Sequence, residues 1–88
     1  MQEKNFVIIE KAGLYAIPVT ILVKEASIFD ADVHLIYNDK QVNLKSIMGV
    51  MSLGIPKGAS IKVLSDGPDS EKALAALEHT MKREGLVD

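Results

Sequence analysis

The side chains that could take part in chemistry are few and lie far apart along the chain. There are two histidines, six serines and no cysteine. His34 and His79 have no partner at a metal-ligand spacing such as His-x-x-x-His, and no serine lies in a Gly-x-Ser-x-Gly elbow. The absence of cysteine excludes thiol catalysis, a disulfide scaffold and a Cys-based zinc site. The residue types therefore argue against an enzyme, and we expect no metal and no cofactor.

Two predicted helix N-termini remain as places where an anion such as phosphate could bind, because each presents free backbone N–H groups and a partial positive charge. The first is the segment 13–18, which enters helix one, and the second is the segment 44–49, which enters helix two. Ser46 in the second segment has two interpretations. It is either a plain N-cap, or an N-cap that also receives a phosphoryl group beside Lys45.

The composition is that of a small globular protein. The 88 residues are 48% apolar and 25% charged, with ten Lys and Arg against twelve Asp and Glu and a net charge of −2. This length and balance predict one domain over residues 1–88. Because the chain has four aromatic residues and no basic stripe, we expect no nucleic-acid partner.

No segment predicts a contact with a membrane. The longest apolar run, residues 14–23, is interrupted by Pro18 and Thr20 and is shorter than the ~18–20 residues of a membrane span. The first residues show no basic region followed by a long apolar stretch, as a signal peptide would. A cytoplasmic location is therefore expected.

Hydrophobic periodicity and turn residues predict seven elements. Four strands are predicted, at residues 5–9, 33–37, 41–44 and 60–64. Three helices are predicted, at residues 16–27, at residues 47–53, and from a cap at Asp69 or Ser70 to a stop at Gly85. The order β-α-β-β-α-β-α predicts an α+β open-faced β-sandwich, in which a four-stranded antiparallel sheet carries three helices on one face.

Helix one has apolar side chains on two sides. The spacing i, i+3, i+4, i+7 predicts one buried face, which consists of Val19, Leu22, Val23 and Ala26. A second stripe lies opposite, with Tyr15 at its head, and contains Ile17, Ile21, Lys24 and Ile28. A helix that is apolar on two sides is either buried twice or available to a partner.

The segment around Ser46 resembles a known family. Residues 43–54, Asn-Leu-Lys-Ser-Ile-Met-Gly-Val-Met-Ser-Leu-Gly, resemble the regulatory-serine segment of HPr, the histidine-containing phosphocarrier of the bacterial sugar phosphotransferase system, in its Gram-positive form. The similarity extends along the whole chain. It implies the same open-faced fold and a regulatory phosphorylation at Ser46. It also implies partners of three kinds, namely enzyme I, permease domains and HPr kinase.

The chain departs from the family where the family carries its phosphoryl group. The family motif reads Gly-Ile/Leu-His-Ala-Arg-Pro-Ala-Thr, whereas residues 13–20 read Gly-Leu-Tyr-Ala-Ile-Pro-Val-Thr. The histidine position holds Tyr15 and the arginine position holds Ile17. A tyrosine would form a stable phosphate ester, and Ile17 removes the guanidinium that would pair with phosphate oxygens. We therefore predict no phosphocarrier activity and no catalytic residue.

The resemblance and the second stripe together predict a partner-binding surface on helices one and two. Its predicted members are Tyr15, Ile17, Thr20, Ile21, Lys24, Ile28, Ile47, Met48 and Met51. Three explanations stay open at this point: drift of a face that lost its function, a protein-binding or regulatory module, and an engineered HPr variant with a redesigned interface. The two latter explanations include a homo-oligomer that forms through the apolar face.

Overall fold

The computed structural model describes residues 1–88 and contains the seven elements in the predicted order. The strands are β1 (Gln2–Val7), β2 (Asp32–Tyr37), β3 (Lys40–Asn43) and β4 (Ser60–Asp66). The helices are α1 (Ala16–Ser27), α2 (Ile47–Met51) and α3 (Ser70–Arg83). None of these helices combines the length and the hydropathy that a membrane-spanning helix requires.

The four strands form one antiparallel sheet in the order β1-β4-β2-β3. β2 and β3 make the predicted hairpin, in which Tyr37 pairs with Lys40 across a two-residue turn. Asn38 and Asp39 have positive φ angles of 51° and 64°, which are the angles that a tight hairpin turn requires. The sheet therefore contains the predicted hairpin, and its strand order places β4 and β2 at the centre.

Alternation along the strands separates a buried face from an open face. Phe6, Val33, Leu35, Ile61 and Val63 are buried on the face that the helices cover. α1 contributes its predicted buried face of Val19, Leu22, Val23 and Ala26, and α3 contributes Ala73, Leu74, Leu77 and Met81. The predicted α+β open-faced sandwich is confirmed.

The boundaries of α1 match the sequence prediction, those of β2 and β3 differ from it by one residue, and those of β1, α2 and β4 differ by more. β1 begins at Gln2 rather than residue 5, because its first residues pair with the end of β4. It ends at Val7 rather than residue 9, because the Ile8 and Ile9 N–H groups donate to the carbonyl oxygens of Ala59 and Leu86, at 2.9 and 2.8 Å. α2 ends at Met51 rather than residue 53, shortly before Gly54 turns the chain at a φ of 59°. β4 continues to Asp66 because Ser65 pairs with both β1 and β2, and Asp66 still pairs with Asp32 of β2. Local sequence shows neither the pairing partners nor the loop hydrogen bonds.

An ion cluster fastens the edge strand β1 to α3. Lys4 Nζ lies 2.6 Å from Glu78 Oε2, and Lys82 Nζ lies 3.0 Å from the same atom. The hydrogen bond from Lys4, followed by that from Lys82, lowers the pKa of the Glu78 carboxyl below its ordinary value of 4.5. The cluster joins two parts of the chain that are far apart in sequence.

Glu78→Gln is expected to lower the free energy of unfolding at neutral pH by roughly 0.5–1 kcal/mol, as for other partly exposed pairs. Because folding lowers the pKa of Glu78, the stabilisation is complete above pH 4.5 and is lost as the pH falls through the lowered value. The two proteins should therefore converge in stability at acid pH in urea unfolding curves. Asp32→Asn is the control, because Asp32 is exposed on β2 and forms no ion pair or side-chain hydrogen bond. A gap between wild type and Glu78→Gln that persists in acid would contradict the assignment.

Candidate docking surface and phosphorylation site

The entry to α1 is held against the segment that follows α2. Leu14 N donates to Ile55 O at 2.9 Å, and Gly13 adopts a φ of 69°. A Cβ atom at position 13 would lie 2.2 Å from Ile55 O and 2.9 Å from Pro56 Cα. Only glycine fits there, because both the φ angle and the neighbouring backbone exclude a side chain. This contact fixes Tyr15 and Ile17 relative to the chain that leaves α2.

Gly13→Ala is expected to lower the free energy of unfolding by about 3 kcal/mol or more, since left-handed strain and a backbone clash act together. Gly54→Ala is the matched control. Gly54 has a similar φ of 59°, but a Cβ there would meet nothing within 4 Å. Gly54→Ala should therefore lose only the stability that left-handed strain costs, about 1–2 kcal/mol. Urea unfolding of both variants measures the difference, and equal losses would show that the contact with Ile55 is unimportant.

Tyr15 is the N-cap residue of α1, with φ −89° and ψ −177°. Its backbone carbonyl accepts a hydrogen bond from Val19 N at 3.1 Å, but its side chain makes no capping hydrogen bond. Tyr15 is 42% exposed, and Ile17 in the first turn is 65% exposed. The first turn of α1 contains no acidic residue. The N-terminus of α1 thus presents an aromatic and an aliphatic side chain, and it lacks the capping side chain that would stabilise the helix.

Ser46 is the N-cap residue of α2, and its hydroxyl oxygen accepts a hydrogen bond from Gly49 N at 3.1 Å. Its own N–H donates to Asn43 O at 3.0 Å. Gly49 suits this arrangement, because a Cβ at that position would lie only 3.2 Å from Ser46 Oγ. Ser46 is therefore an N-cap, as both interpretations require, and its side chain is half-buried.

The Lys45 ammonium is directed at the end of α1. Its Nζ donates to Phe29 O at 3.1 Å, and its backbone N–H donates to Asn43 Oδ1 at 2.8 Å. The sequence places Lys45 next to Ser46 and so favours a role at a phosphoryl group. The structure instead gives the ammonium a backbone carbonyl as its partner.

Helices α1 and α2 pack against each other, and their outer sides carry most of the large exposed apolar side chains. Of nine such side chains in the protein, six belong to the predicted set: Tyr15 42%, Ile17 65%, Ile28 71%, Ile47 42%, Met48 82% and Met51 41% exposed. We call these six residues the apolar surface. Lys24, which is also predicted, is exposed beside it.

Two predicted members contribute less than the sequence suggests. Ile21 is half-buried, so the second stripe of α1 is not fully available to a partner. Thr20 is also half-buried, and its Oγ1 donates to Ala16 O at 2.9 Å within the helix. The outer stripe of α1 is therefore concentrated at its two ends, in Ile17 and Ile28.

Two exposed apolar side chains lie in and after β1 and were not predicted from the sequence. Val7 is 52% and Ile9 is 40% exposed, whereas Phe6 and Ile8 are buried. The period-two alternation of residues 6–9 could have identified them.

The largest depression, about 520 Å³, lies on the open sheet face near Val7, Ile36 and Lys62 and contains no predicted site residue.

Comparison with known proteins gives the same family as the sequence resemblance. Residues 2–83 match the PTS-HPr family, described as the PTS HPr component phosphorylation site. The fold superposes on a mycoplasma histidine-containing phosphocarrier protein with a TM-score of 0.97, at 40% identity over 99% of each chain. HPr from Bacillus anthracis gives a TM-score of 0.84 at 42% identity, over 90% of this chain and 94% of that one.

Another similar structure is Crh, the catabolite repression HPr of Bacillus subtilis, whose crystal structure is a domain-swapped, intertwined dimer. It has a TM-score of 0.75 at 37% identity and covers 98% of this chain and 99% of its own. The relatives thus include histidine phosphocarriers and a catabolite repression protein. The match over nearly the whole sequence and the superposition of the fold agree, and the chain belongs to the PTS-HPr family.

Proposed function

We propose that this protein is an HPr-family module that binds other proteins through its apolar surface and does not carry a phosphoryl group at position 15. The observation that carries the proposal is the pair Tyr15 and Ile17. They occupy the positions of the family's histidine and arginine and also form part of the apolar surface. The same two replacements that remove a phosphate site therefore enlarge a surface for protein contact.

The chemistry at position 15 supports this proposal. A phosphorylated histidine holds its phosphoryl group on a ring nitrogen in a high-energy bond that passes readily to an acceptor. A tyrosine phosphate is a stable ester and does not serve as such a donor. Ile17 offers no charge to a phosphate. The two histidines of the chain lie elsewhere, His34 on β2 and His79 on α3, so neither is placed to replace the missing ring.

The partners that the family resemblance implies are enzyme I, permease domains and HPr kinase, all of which would meet the protein in the cytoplasm. A second copy of the chain is a further candidate, which the intertwined dimer of the relative Crh favours. A two-fold contact needs only one self-complementary patch. The apolar surface provides aliphatic, thioether and aromatic side chains of the kind that form the centre of an interface.

The experiment that tests the proposal combines two measurements on one preparation. Radiolabelled phosphoenolpyruvate and enzyme I are added, with an ordinary HPr as the positive control, and label on the protein is counted. The same preparation is then examined by sedimentation equilibrium over a wide concentration range, alone and with enzyme I. We expect no label and a measurable association. Label at the rate of an ordinary HPr, or a monomer that binds no partner, would overturn the proposal.

We expect HPr kinase and ATP to phosphorylate Ser46. The added negative charge would lie at the N-terminus of α2, where backbone N–H groups favour an anion. Mass spectrometry of a peptide that covers residues 46–57 measures the product, and Ser46→Ala is the control that should remain unmodified. An unmodified wild-type protein, beside an ordinary HPr that is phosphorylated in parallel, would contradict the prediction.

A further inference from the structure

The C-terminal end of α1 takes part in side-chain hydrogen bonds with two other parts of the chain. The last backbone hydrogen bonds of the helix are long. Ile28 N donates to Glu25 O and Phe29 N donates to Ala26 O, both at 3.4 Å. The Asp69 carboxylate accepts from Asp30 N at 2.8 Å on the side of α3. Lys45 Nζ donates to Phe29 O at 3.1 Å on the side of α2. Both contacts are shorter than the last two backbone hydrogen bonds of α1, and within the helix the Ser27 hydroxyl also donates to Val23 O at 2.7 Å.

The backbone at Lys45 is held by hydrogen bonds, so its side chain reaches the end of α1 from a fixed point. Its backbone N–H donates to Asn43 Oδ1 at 2.8 Å, and the neighbouring Ser46 hydroxyl caps α2. The ammonium meets a carbonyl just beyond the C-terminus of α1, where the helix dipole is negative and a cation is favourable. A hydrogen bond with a charged donor is stronger than one between neutral groups. One side chain therefore ties the start of α2 to the end of α1.

The hydrogen bond from Lys45 to Phe29 lies between the part of the apolar surface on α1 and the part on α2. Ile28, which is 71% exposed, directly precedes the residue whose carbonyl accepts the bond. Met48, which is 82% exposed, lies in the first turn of the helix that follows Lys45. No contact within either helix fixes the position of one of these side chains relative to the other.

We propose that Lys45 is a positioning residue, which holds Ile28 and Met48 in one continuous surface. Its ammonium is used within the protein and takes no direct part in binding a partner. The importance of this role for binding rests on the proposed function, but the role itself can be measured in the monomer. Lys45→Met removes the ammonium and retains most of the unbranched stem. Lys40→Met is the matched control, because Lys40 is exposed on β3 and forms no ion pair or side-chain hydrogen bond.

The first measurement is independent of any association. Because the chain has no cysteine, Ile28→Cys and Met48→Cys can carry two spin labels whose separation is measured by pulsed electron resonance. In Lys45→Met we expect a broader distribution of the distance between the two labels. We also expect the exchange rates of the Ile28 and Phe29 amide hydrogens to rise about tenfold, because one charged hydrogen bond is lost. Lys40→Met should change neither. An unchanged distribution and unchanged exchange in Lys45→Met would overturn the proposal.

The second measurement tests whether the hydrogen bond from Lys45 affects binding. If the wild-type protein associates, Lys45→Met is expected to weaken the association by about tenfold in sedimentation equilibrium. Val87→Ala, which opens a small cavity away from the apolar surface, should destabilise the fold without weakening the association. Equal weakening in both variants would mean that Lys45 acts only through stability and would overturn the positioning role in binding. A wild-type protein that neither self-associates nor binds enzyme I would instead refute the proposed function, and the spin-label result would still decide the role of Lys45.

Discussion

Tyr15→His together with Ile17→Arg is expected to give the protein phosphoryl transfer from phosphoenolpyruvate and enzyme I, where the wild type accepts no label. Position 15 is the N-cap of α1 and its side chain is 42% exposed, so an imidazole there is accessible to a donor protein. The N-terminus of α1 adds a partial positive charge that favours a bound phosphoryl group. Its geometry is fixed by the contact of Leu14 with Ile55, which neither substitution touches.

The single variants separate the two contributions. Ile17→Arg alone should remain inactive, because it supplies a charge but not the imidazole ring nitrogen that holds a transferable phosphoryl group. Tyr15→His alone should accept label more slowly than the double variant, by roughly ten- to a hundredfold. That factor corresponds to the ~1.5–3 kcal/mol of a hydrogen bond to a charged group. Radiolabel transfer at matched enzyme I concentration measures all four proteins.

A binding control makes a negative result informative. Enzyme I binding to each variant is measured by titration calorimetry, apart from transfer. A double variant that binds enzyme I but accepts no label would contradict the assignment of positions 15 and 17. Label on wild-type protein that survives in Tyr15→Phe would show that another residue accepts the phosphoryl group.

The sequence predicts the fold well where packing follows a local pattern. The i, i+3, i+4 spacing identified the buried face of α1, and all of Val19, Leu22, Val23 and Ala26 are buried. The predicted length of α2 was wrong by two residues, since the chain leaves the helix through Ser52 toward the left-handed Gly54. Periodicity describes a helix face, but the last turn depends on the hydrogen bonds of the loop that follows.

The candidate site could be predicted only in part. The exposed ends of the outer stripe of α1, Ile17 and Ile28, were found from their spacing, but that spacing also included the half-buried Ile21. A helical wheel gives the direction of a side chain and does not show how near the adjoining helix lies. The bond from Lys45 to Phe29 could not be predicted at all, because it joins residues 16 positions apart and depends on the crossing of α1 and α2.

Ile17→Lys is expected to disperse any assembly that forms through the apolar surface. Ile17 is 65% exposed in the single chain, so a partner would bury about two thirds of a side chain whose full burial is worth ~1.5–3 kcal/mol. In a two-fold dimer the substitution occurs twice. The loss is then about 2–4 kcal/mol, or at least roughly 30-fold in the dissociation constant, before the cost of burying the ammonium is added.

The stability of the fold should not change with this substitution. The Ile17 side chain lies outside the core, and a surface replacement of this kind usually alters the free energy of unfolding by less than about 0.5 kcal/mol. Urea unfolding at a concentration where the wild type is monomeric tests this expectation. Loss of association together with loss of fold would mean that Ile17 is part of the core and not of an interface.

Val7→Lys is the matched control, because Val7 is 52% exposed but lies on β1, away from the two helices. Both variants replace an exposed aliphatic side chain with lysine, so they differ only in which face of the protein receives the charge. Sedimentation equilibrium should show a dispersed Ile17→Lys and an unaffected Val7→Lys. The reverse result would place the contact on the side of β1, as an exchange of the edge strand between two copies would do. The apolar surface would then have no role in the association, because its most exposed position in the first turn of α1 could accept a charge without effect.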